Sequence, residues 1–138
     1  MAAYGRELGL AFQLKDDALD YDTAAEVLGK RRYADLAEGK ITLPLILTLK
    51  RCTSSERDVI AAAMKEVSKR EASSPASGPP AEIEAVAELV ARSHGVADTL
   101  RRAEESVNRA IDAIAAFPDS PAKQALVATA VFAVSRDH

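Results

Sequence analysis

Three aspartates stand close together near the start of the chain. Asp16, Asp17 and Asp20 lie in the segment FQLKDDALD, residues 12–20. Each residue of a helix turns the chain by about 100°. On a helix, Asp16 and Asp20 therefore lie one turn apart on the same face, with Asp17 beside them. Gln13 lies one turn earlier, so the spacing predicts a stripe of four oxygen-bearing side chains.

Apolar residues flank this stripe on both sides. Leu8, Phe12 and Leu19 lie to one side, and Leu10, Leu14, Ala18 and Tyr21 lie to the other. A surface helix places its acids opposite a single apolar face. We therefore expect this helix to be largely enclosed, with its carboxylates facing a cavity.

Clustered carboxylates need a cation. Two of them about 5 Å apart repel by roughly 3 kcal/mol at an effective dielectric constant near 20. Hard oxygen ligands on a rigid helix suit Mg²⁺, which binds one or two carboxylates together with waters and phosphate oxygens. The stripe therefore predicts a magnesium site that holds a diphosphate. A solvated acidic turn is the alternative, against which the apolar flanks argue. The alternating acids and central glycine of an EF-hand are absent from the segment.

Basic residues follow the acidic stripe. Lys30, Arg31 and Arg32 come first, then the acid Asp35 and finally Lys40. A diphosphate held by metal ions still has uncompensated oxygens, which a lysine charge suits. Lys40 also precedes a predicted helix N-terminus, which favours anions. Taken alone, either lysine is more typical of a solvated surface; the acidic stripe favours a role for Lys30 and Lys40 in diphosphate binding.

Helical periodicity recurs along the chain and predicts an all-α fold in one domain. A polar connection over residues 22–40 and a mobile loop over about 71–80, EASSPASGPP, interrupt it. Ser54 or Ser55 and Asp119 or Ser120 are predicted helix caps, and Pro44 and Pro121 suit first turns. The predicted helices cover about 3–21, 41–51, 54–70, 81–93, 95–117 and 121–136.

Composition excludes several functional classes. The net charge is −3, aromatic residues make up 4% and there is no tryptophan, so the sequence offers no basic stripe or stacking platform for nucleic acid. Cys52 is the single cysteine, which excludes an internal disulfide and agrees with a reducing cytoplasm. The longest apolar run, residues 41–49, is too short for a transmembrane segment. Cys52 favours a structural or incidental role, and His94 favours a helix C-cap or a surface position.

The order of these motifs resembles the second aspartate-rich region of trans-isoprenyl diphosphate synthases. The matching residues are GLAFQ at 9–13, DDxxD at 16–20, LGK at 28–30, Asp35 and GKxTLP at 39–44. Thr99, Ala103, Ala110, Phe117-Pro118 and Ser120 are similar to the C-terminal helices of bacterial long-chain polyprenyl members. The resemblance implies a helical bundle, the C-terminal portion of an isoprenoid-synthase-type fold.

The resemblance also implies a chemistry. Asp16, Asp17 and Asp20 would ligate Mg²⁺ bridging to an allylic diphosphate, Gln13 would support that site, Lys30 and Lys40 would contact the phosphates, and Asp35 would be an acid behind the metal ligands. In the family, departing pyrophosphate is stabilised while an allylic carbocation forms, and isopentenyl diphosphate then attacks head to tail.

The sequence departs from the family in one large respect. Members carry a first aspartate-rich motif, and these 138 residues contain a single DDxxD. We therefore expect a C-terminal fragment that is catalytically silent alone, with bare apolar faces that form a homo-oligomer or heteromer. One alternative is a noncatalytic helical subunit that stabilises or regulates a heteromeric prenyl synthase. Another is a helical domain whose acids do no chemistry.

Overall fold

The computed structural model describes residues 1–21, 33–70 and 81–136, with only the backbone for 68–70. Lys30 and the predicted loop at 71–80 therefore lie outside the described residues. The described chain forms helices and no strand, which confirms the predicted all-α class. The helices are α1 (Ala2–Leu19), α2 (Ala34–Ala37), α3 (Leu43–Leu49), α4 (Ser54–Arg70), α5 (Ala81–Arg92), α6 (Gly95–Ala113) and α7 (Pro121–Ser135).

The contacts divide the chain into two compact units. The first unit comprises Met1–Asp16 and Thr99–His138, and the second comprises Asp17–Asp98. The division falls within α1 and within α6, so each of these helices contributes to both units.

The core of the first unit joins α1, α6 and α7. Its buried residues are Tyr4, Ala11, Val107, Ala110, Ile114 and Ala130. Alanines at three of these positions let the helices pack closely, because the distance between packed helices depends on the side chains at the contact. The Tyr4 hydroxyl donates a hydrogen bond to the Leu126 carbonyl at 2.7 Å, which satisfies the polar end of an otherwise buried ring.

The core of the second unit is aliphatic and lies among α2, α3, α4 and α5. Its larger members are Leu36, Leu45, Ile60, Val67, Ile83, Val86 and Val90, together with the buried ring of Tyr33. The buried Thr48 hydroxyl donates to the Pro44 carbonyl at 2.9 Å and lies 2.7 Å from the Ser93 hydroxyl oxygen. The core therefore contains no isolated hydroxyl at this position.

Two helix starts show how the predicted caps compare with the observed ones. Ser120 caps α7 by accepting a hydrogen bond from the Lys123 backbone N–H at 3.2 Å, in agreement with the prediction. At α4 the cap is Thr53, one residue before the predicted serines. Glu56 accepts a hydrogen bond from the Thr53 backbone N–H at 2.8 Å, and the Thr53 hydroxyl accepts one from the Glu56 N–H at 3.3 Å. This reciprocal pair is a capping box.

Two boundaries differ from the periodic pattern. The polar connection contains the short helix α2. Its four residues are too few to show a helical period in the sequence. α6 ends at Ala113 rather than near Phe117, because the N–H groups of Ile114, Ala115 and Phe117 bond to carbonyls three residues back. That tighter pattern is common at helix ends.

His94 adopts a positive φ of 60° between α5 and α6, a backbone conformation that is common just after the end of a helix. No helix in the described ranges combines the length and the apolar character needed to cross a membrane.

Gly95 allows α6 to begin directly against α3. A methyl group at this position would lie 2.5 Å from the Pro44 carbonyl oxygen and 2.8 Å from the Thr48 hydroxyl oxygen. We predict that Gly95→Ala lowers the free energy of unfolding by about 1–3 kcal/mol, the usual cost of overpacking, as measured by urea denaturation. The matched control is Gly5→Ala in α1, where a methyl group meets nothing within 4 Å. It is expected to raise stability by up to about 1 kcal/mol, and equal effects of the two changes would contradict this packing account.

Candidate functional site

The three aspartates lie at the C-terminal end of α1. Asp16 and Asp17 belong to its last turn, and Asp20 follows in the turn that ends the helix. The helix stops two residues before the predicted end at Tyr21, whose backbone N–H bonds to the Ala18 carbonyl at 3.2 Å. Asp16 and Asp17 therefore lie on one helix as predicted, whereas Asp20 lies just beyond its end.

Burial differs among the acids and among the flanking residues. Asp17 is 7% exposed, whereas the Asp16 side chain is 43% exposed. Leu14 and Ala18 are buried, but Leu10 and Phe12 expose 44% and 46%. The expected enclosure on both flanks is thus absent over Leu10 and Phe12, since the described residues do not cover those side chains. The sequence pattern shows that apolar side chains flank the acids. It does not show whether another helix packs against them.

Asp20 caps α2. Its Oδ2 accepts a hydrogen bond from the Asp35 backbone N–H at 3.2 Å, and the neighbouring N–H groups of Ala34 and Leu36 also favour the charged carboxylate. The Asp20 carbonyl accepts from the Tyr33 N–H at 3.1 Å. Burial raises the pKa of Asp20 above its usual value, although the three backbone hydrogen bonds act in the opposite direction. A carboxylate at a helix N-terminus satisfies amides that have no partner within the helix.

Through α2, Asp20 also positions a predicted basic residue. Asp35 lies in the first turn of α2, and its Oδ1 accepts a hydrogen bond from Lys40 Nζ at 2.8 Å. Lys40 Nζ also lies 2.8 Å from Glu38 Oε2. These two acids, Asp35 more than Glu38, raise the pKa of Lys40. Asp20, Asp35 and Lys40 are therefore linked, and the lysine ammonium remains charged throughout the physiological pH range.

Two tyrosines pack against each other near the end of α1 and the start of α2. The rings of Tyr21 and Tyr33 lie 6.0 Å apart, tilted by 53°. Tyr33 has a positive φ of 56° and directly precedes α2. Burial raises the pKa of the Tyr21 hydroxyl. The aromatic contact helps hold α2 next to Asp20.

Asp16 has a partner that the sequence did not reveal. A terminal guanidinium nitrogen of Arg136 lies 2.6 Å from Asp16 Oδ1. The two residues are 120 positions apart, so no local spacing signals the pair. The only sequence signal is that a basic residue ends the last predicted helix.

The donor chemistry of this segment fits Mg²⁺. Across residues 1–21, 33–70 and 81–136, no three acidic, histidine or cysteine side chains converge closely enough to hold a metal ion by themselves. Mg²⁺ needs no such cage, because it binds through one or two carboxylates and completes its shell with water and phosphate oxygens. The carboxylates of Asp16, Asp17 and Asp20 are donors of this type. Gln13 is exposed one turn before Asp17.

Comparison with known proteins relates the chain to one family. A family model described as Polyprenyl synthetase matches residues 1–76. The octaprenyl diphosphate synthase of Haemophilus influenzae is 38% identical over 135 residues, which are 98% of this chain and 38% of that protein. The Escherichia coli octaprenyl diphosphate synthase is 39% identical over 134 residues, 97% of this chain and 38% of that protein. The chain thus spans about 38% of the length of these relatives.

Solved structures of prenyl synthases also resemble this chain. A polyprenyl synthase from Caulobacter crescentus, complexed with calcium and isoprenyl diphosphate, superposes with a TM-score of 0.81 at 38% identity. The match covers 98% of this chain and 38% of that one. A geranylgeranyl pyrophosphate synthetase from Pyrococcus horikoshii, at 22% identity and a TM-score of 0.78, covers 97% of this chain and 38% of its own and supports the fold alone. The predicted family resemblance and isoprenoid-synthase fold are confirmed.

The cap on α2 leads to a local stability prediction. Asp20→Ala removes the acceptor for the first N–H groups of α2, so we expect a loss of about 1 kcal/mol of stability. Hydrogen exchange should become faster at the amides of residues 34–36, as measured by NMR. The matched control, Asp35→Asn, changes a neighbouring side chain but keeps the backbone amide that Asp20 binds, and exchange there should stay slow. Unchanged protection in Asp20→Ala would show that the cap does not hold α2.

Proposed function

The chain belongs to the polyprenyl synthetase family, and from this premise we propose that it carries a magnesium–diphosphate half-site of a prenyl-chain-elongating transferase. The observation that supports this most directly is the DDxxD segment at the end of α1, which lies within the residues matched to the family. The bound calcium and isoprenyl diphosphate of the Caulobacter relative fit the same chemistry.

Each residue has a role in this proposal. Asp16, Asp17 and Asp20 provide carboxylate oxygens for Mg²⁺, Gln13 supports them, Lys30 and Lys40 bind the phosphates, and Asp35 lies behind the ligands. When bound, the metal supplies positive charge that offsets the charge developing on a departing diphosphate. Packing around the buried Asp17 limits its motion, which favours a constant carboxylate orientation.

Lys40 contributes a cation of constant charge. Because Asp35 and Glu38 raise its pKa, the ammonium stays protonated, and a phosphate group would compete with these two carboxylates for its charge. The side chain is 56% exposed and can therefore reach a ligand from solvent. Asp35 has a positioning role here, since it holds Lys40 and is itself placed by α2 and Asp20.

The proposed substrates are an allylic diphosphate and isopentenyl diphosphate, joined head to tail with release of pyrophosphate and loss of a proton that restores a double bond. The 138 residues contain one aspartate-rich motif. We therefore propose that this chain alone binds Mg²⁺ and diphosphate without turnover, and that catalysis needs further residues from the same or another chain.

Binding can be tested by thermal unfolding. Mg²⁺ with inorganic pyrophosphate is expected to raise the Tm of the chain by about 3–6 °C at about tenfold above the dissociation constant, because a ligand that binds only the folded state stabilises it. Asp17→Asn should abolish the shift, since it removes one charge and one ligand. The matched control is Asp112→Asn on the exposed face of α6, which should keep the shift. No shift in the wild-type chain at millimolar ligand would argue against the half-site.

An exposed apolar helix supports the proposed assembly. α7 is apolar on all sides, yet only Ala130 and Ala133 are buried in it, and Phe132 is 63% exposed beside the exposed Val131. A helix that is hydrophobic all round is typical of a buried position. We therefore propose that another chain, in a homo-oligomer or heteromer, covers this face.

Assembly is measured by sedimentation velocity. The wild-type chain is expected to sediment as a species larger than a monomer, because burying Phe132 and Val131 removes apolar area from water. Phe132→Glu should shift the population toward monomer by placing a charge in the contact. The control Gln124→Glu adds the same charge at another exposed position of α7 and should leave the distribution unchanged. A monomeric wild-type chain at all concentrations would contradict the assembly.

A further inference from the structure

The Arg136 guanidinium has a fixed position at the C-terminal end of α7. Its Nε donates to the Ala133 carbonyl at 3.2 Å, and a terminal nitrogen donates to the Phe12 carbonyl at 3.2 Å. The same nitrogen lies 2.6 Å from Asp16 Oδ1. The guanidinium carbon also lies 3.8 Å from the centre of the Phe12 ring. These contacts leave the Arg136 side chain 12% exposed.

This geometry is unusual for a surface ion pair. Exposed pairs exchange partners readily and contribute little energy. Here the arginine is mostly buried, stacked on a ring and held by two carbonyls, whereas the Asp16 carboxylate remains 43% exposed. The result is a largely buried, hydrogen-bonded positive charge next to an aspartate that solvent and ligands can still reach.

We propose that Arg136 is a positioning residue that makes metal binding at Asp16 depend on diphosphate. The inference rests on the proposed function. A fixed positive charge beside Asp16 repels a bare divalent cation and weakens the carboxylate's attraction for it. The same charge attracts a magnesium–pyrophosphate complex, whose net charge is negative. Arg136 therefore disfavours Mg²⁺ alone and favours Mg²⁺ that arrives with its anion.

A purely structural role predicts a different outcome. If Arg136 only ties α7 to α1, its removal loosens the end of α1, and the affinities for Mg²⁺ and for pyrophosphate fall together or stay unchanged. The electrostatic role changes the two affinities in opposite directions. The sign of the two shifts therefore distinguishes the two roles.

The test uses isothermal titration calorimetry on the full 138-residue chain. Mg²⁺ alone is one probe, and inorganic pyrophosphate at saturating Mg²⁺ is the other. In Arg136→Gln and Arg136→Met we expect Mg²⁺ alone to bind roughly three- to tenfold tighter and pyrophosphate to bind roughly three- to tenfold more weakly, the scale of one neighbouring charge. Arg136→Lys keeps the charge and should stay near the wild-type values.

Two controls separate the possible failures. Arg109→Gln removes an arginine whose Nε lies 2.9 Å from Glu7 Oε2 on α1, away from Asp16, and should change neither affinity. Arg136→Met keeps an apolar stem that can pack on Phe12, so it decides the question if Arg136→Gln does not fold. Shifts in the same direction, or none, in a chain that binds both probes overturn the role of Arg136. A wild-type chain that binds neither probe overturns the proposed function and this inference with it.

Discussion

The repulsion among closely spaced carboxylates is the constraint on which the end of α1 depends. Three acids within five residues are tolerated on one helix only if other groups offset their charge. Within the first unit, the Arg136 guanidinium lies against Asp16. Within the second unit, the backbone amides at the start of α2 bind Asp20. Asp16 is thus balanced by a full side-chain charge, whereas Asp20 is balanced by backbone amides at the start of α2. The two carboxylates therefore have different electrostatic surroundings.

That difference matters for how the segment can act. The Arg136 guanidinium already binds the Asp16 carboxylate. A metal ion at Asp16 would therefore have to share this carboxylate with Arg136. The amides of α2 hold Asp20 by dipoles, and they also link it to Asp35 and Lys40. A change at Asp20 therefore reaches the lysine proposed to bind phosphate, and a change at Asp16 reaches the end of α7. Besides their proposed ligand role, Asp16 and Asp20 contact groups that are distant in sequence.

Local physics accounts for the part of this structure that the sequence predicted. Helical periodicity predicts α1, α4, α5 and α7, and Ser120 is one of the two caps predicted for α7, because those signals lie within one or two turns. The helix α2 was missed because Ala34–Ala37 is too short to show a period. The partners of Asp16 and Asp20 were missed for another reason: they are 120 and 15 residues away, and only tertiary structure brings them near. The exposure of Leu10 and Phe12 has the same origin, since an apolar pattern does not specify which faces receive a partner.

These internal offsets also distinguish the segment from a structural metal site. Where a metal is the main compensation for its ligands, as in zinc fingers, the chain unfolds without it and binding energy becomes folding energy. Here Arg136 and the α2 amides compensate two of the three aspartates, so the helix does not require a metal ion to form. In the proposed site, an Mg²⁺ ion would have to compete with Arg136 for Asp16 and with the α2 amides for Asp20, which would lower its net gain in free energy. A diphosphate would add oxygen ligands and negative charge to the side of the ion, which would make this net gain larger. The proposed arrangement would thus bind metal and diphosphate together more strongly than the metal alone.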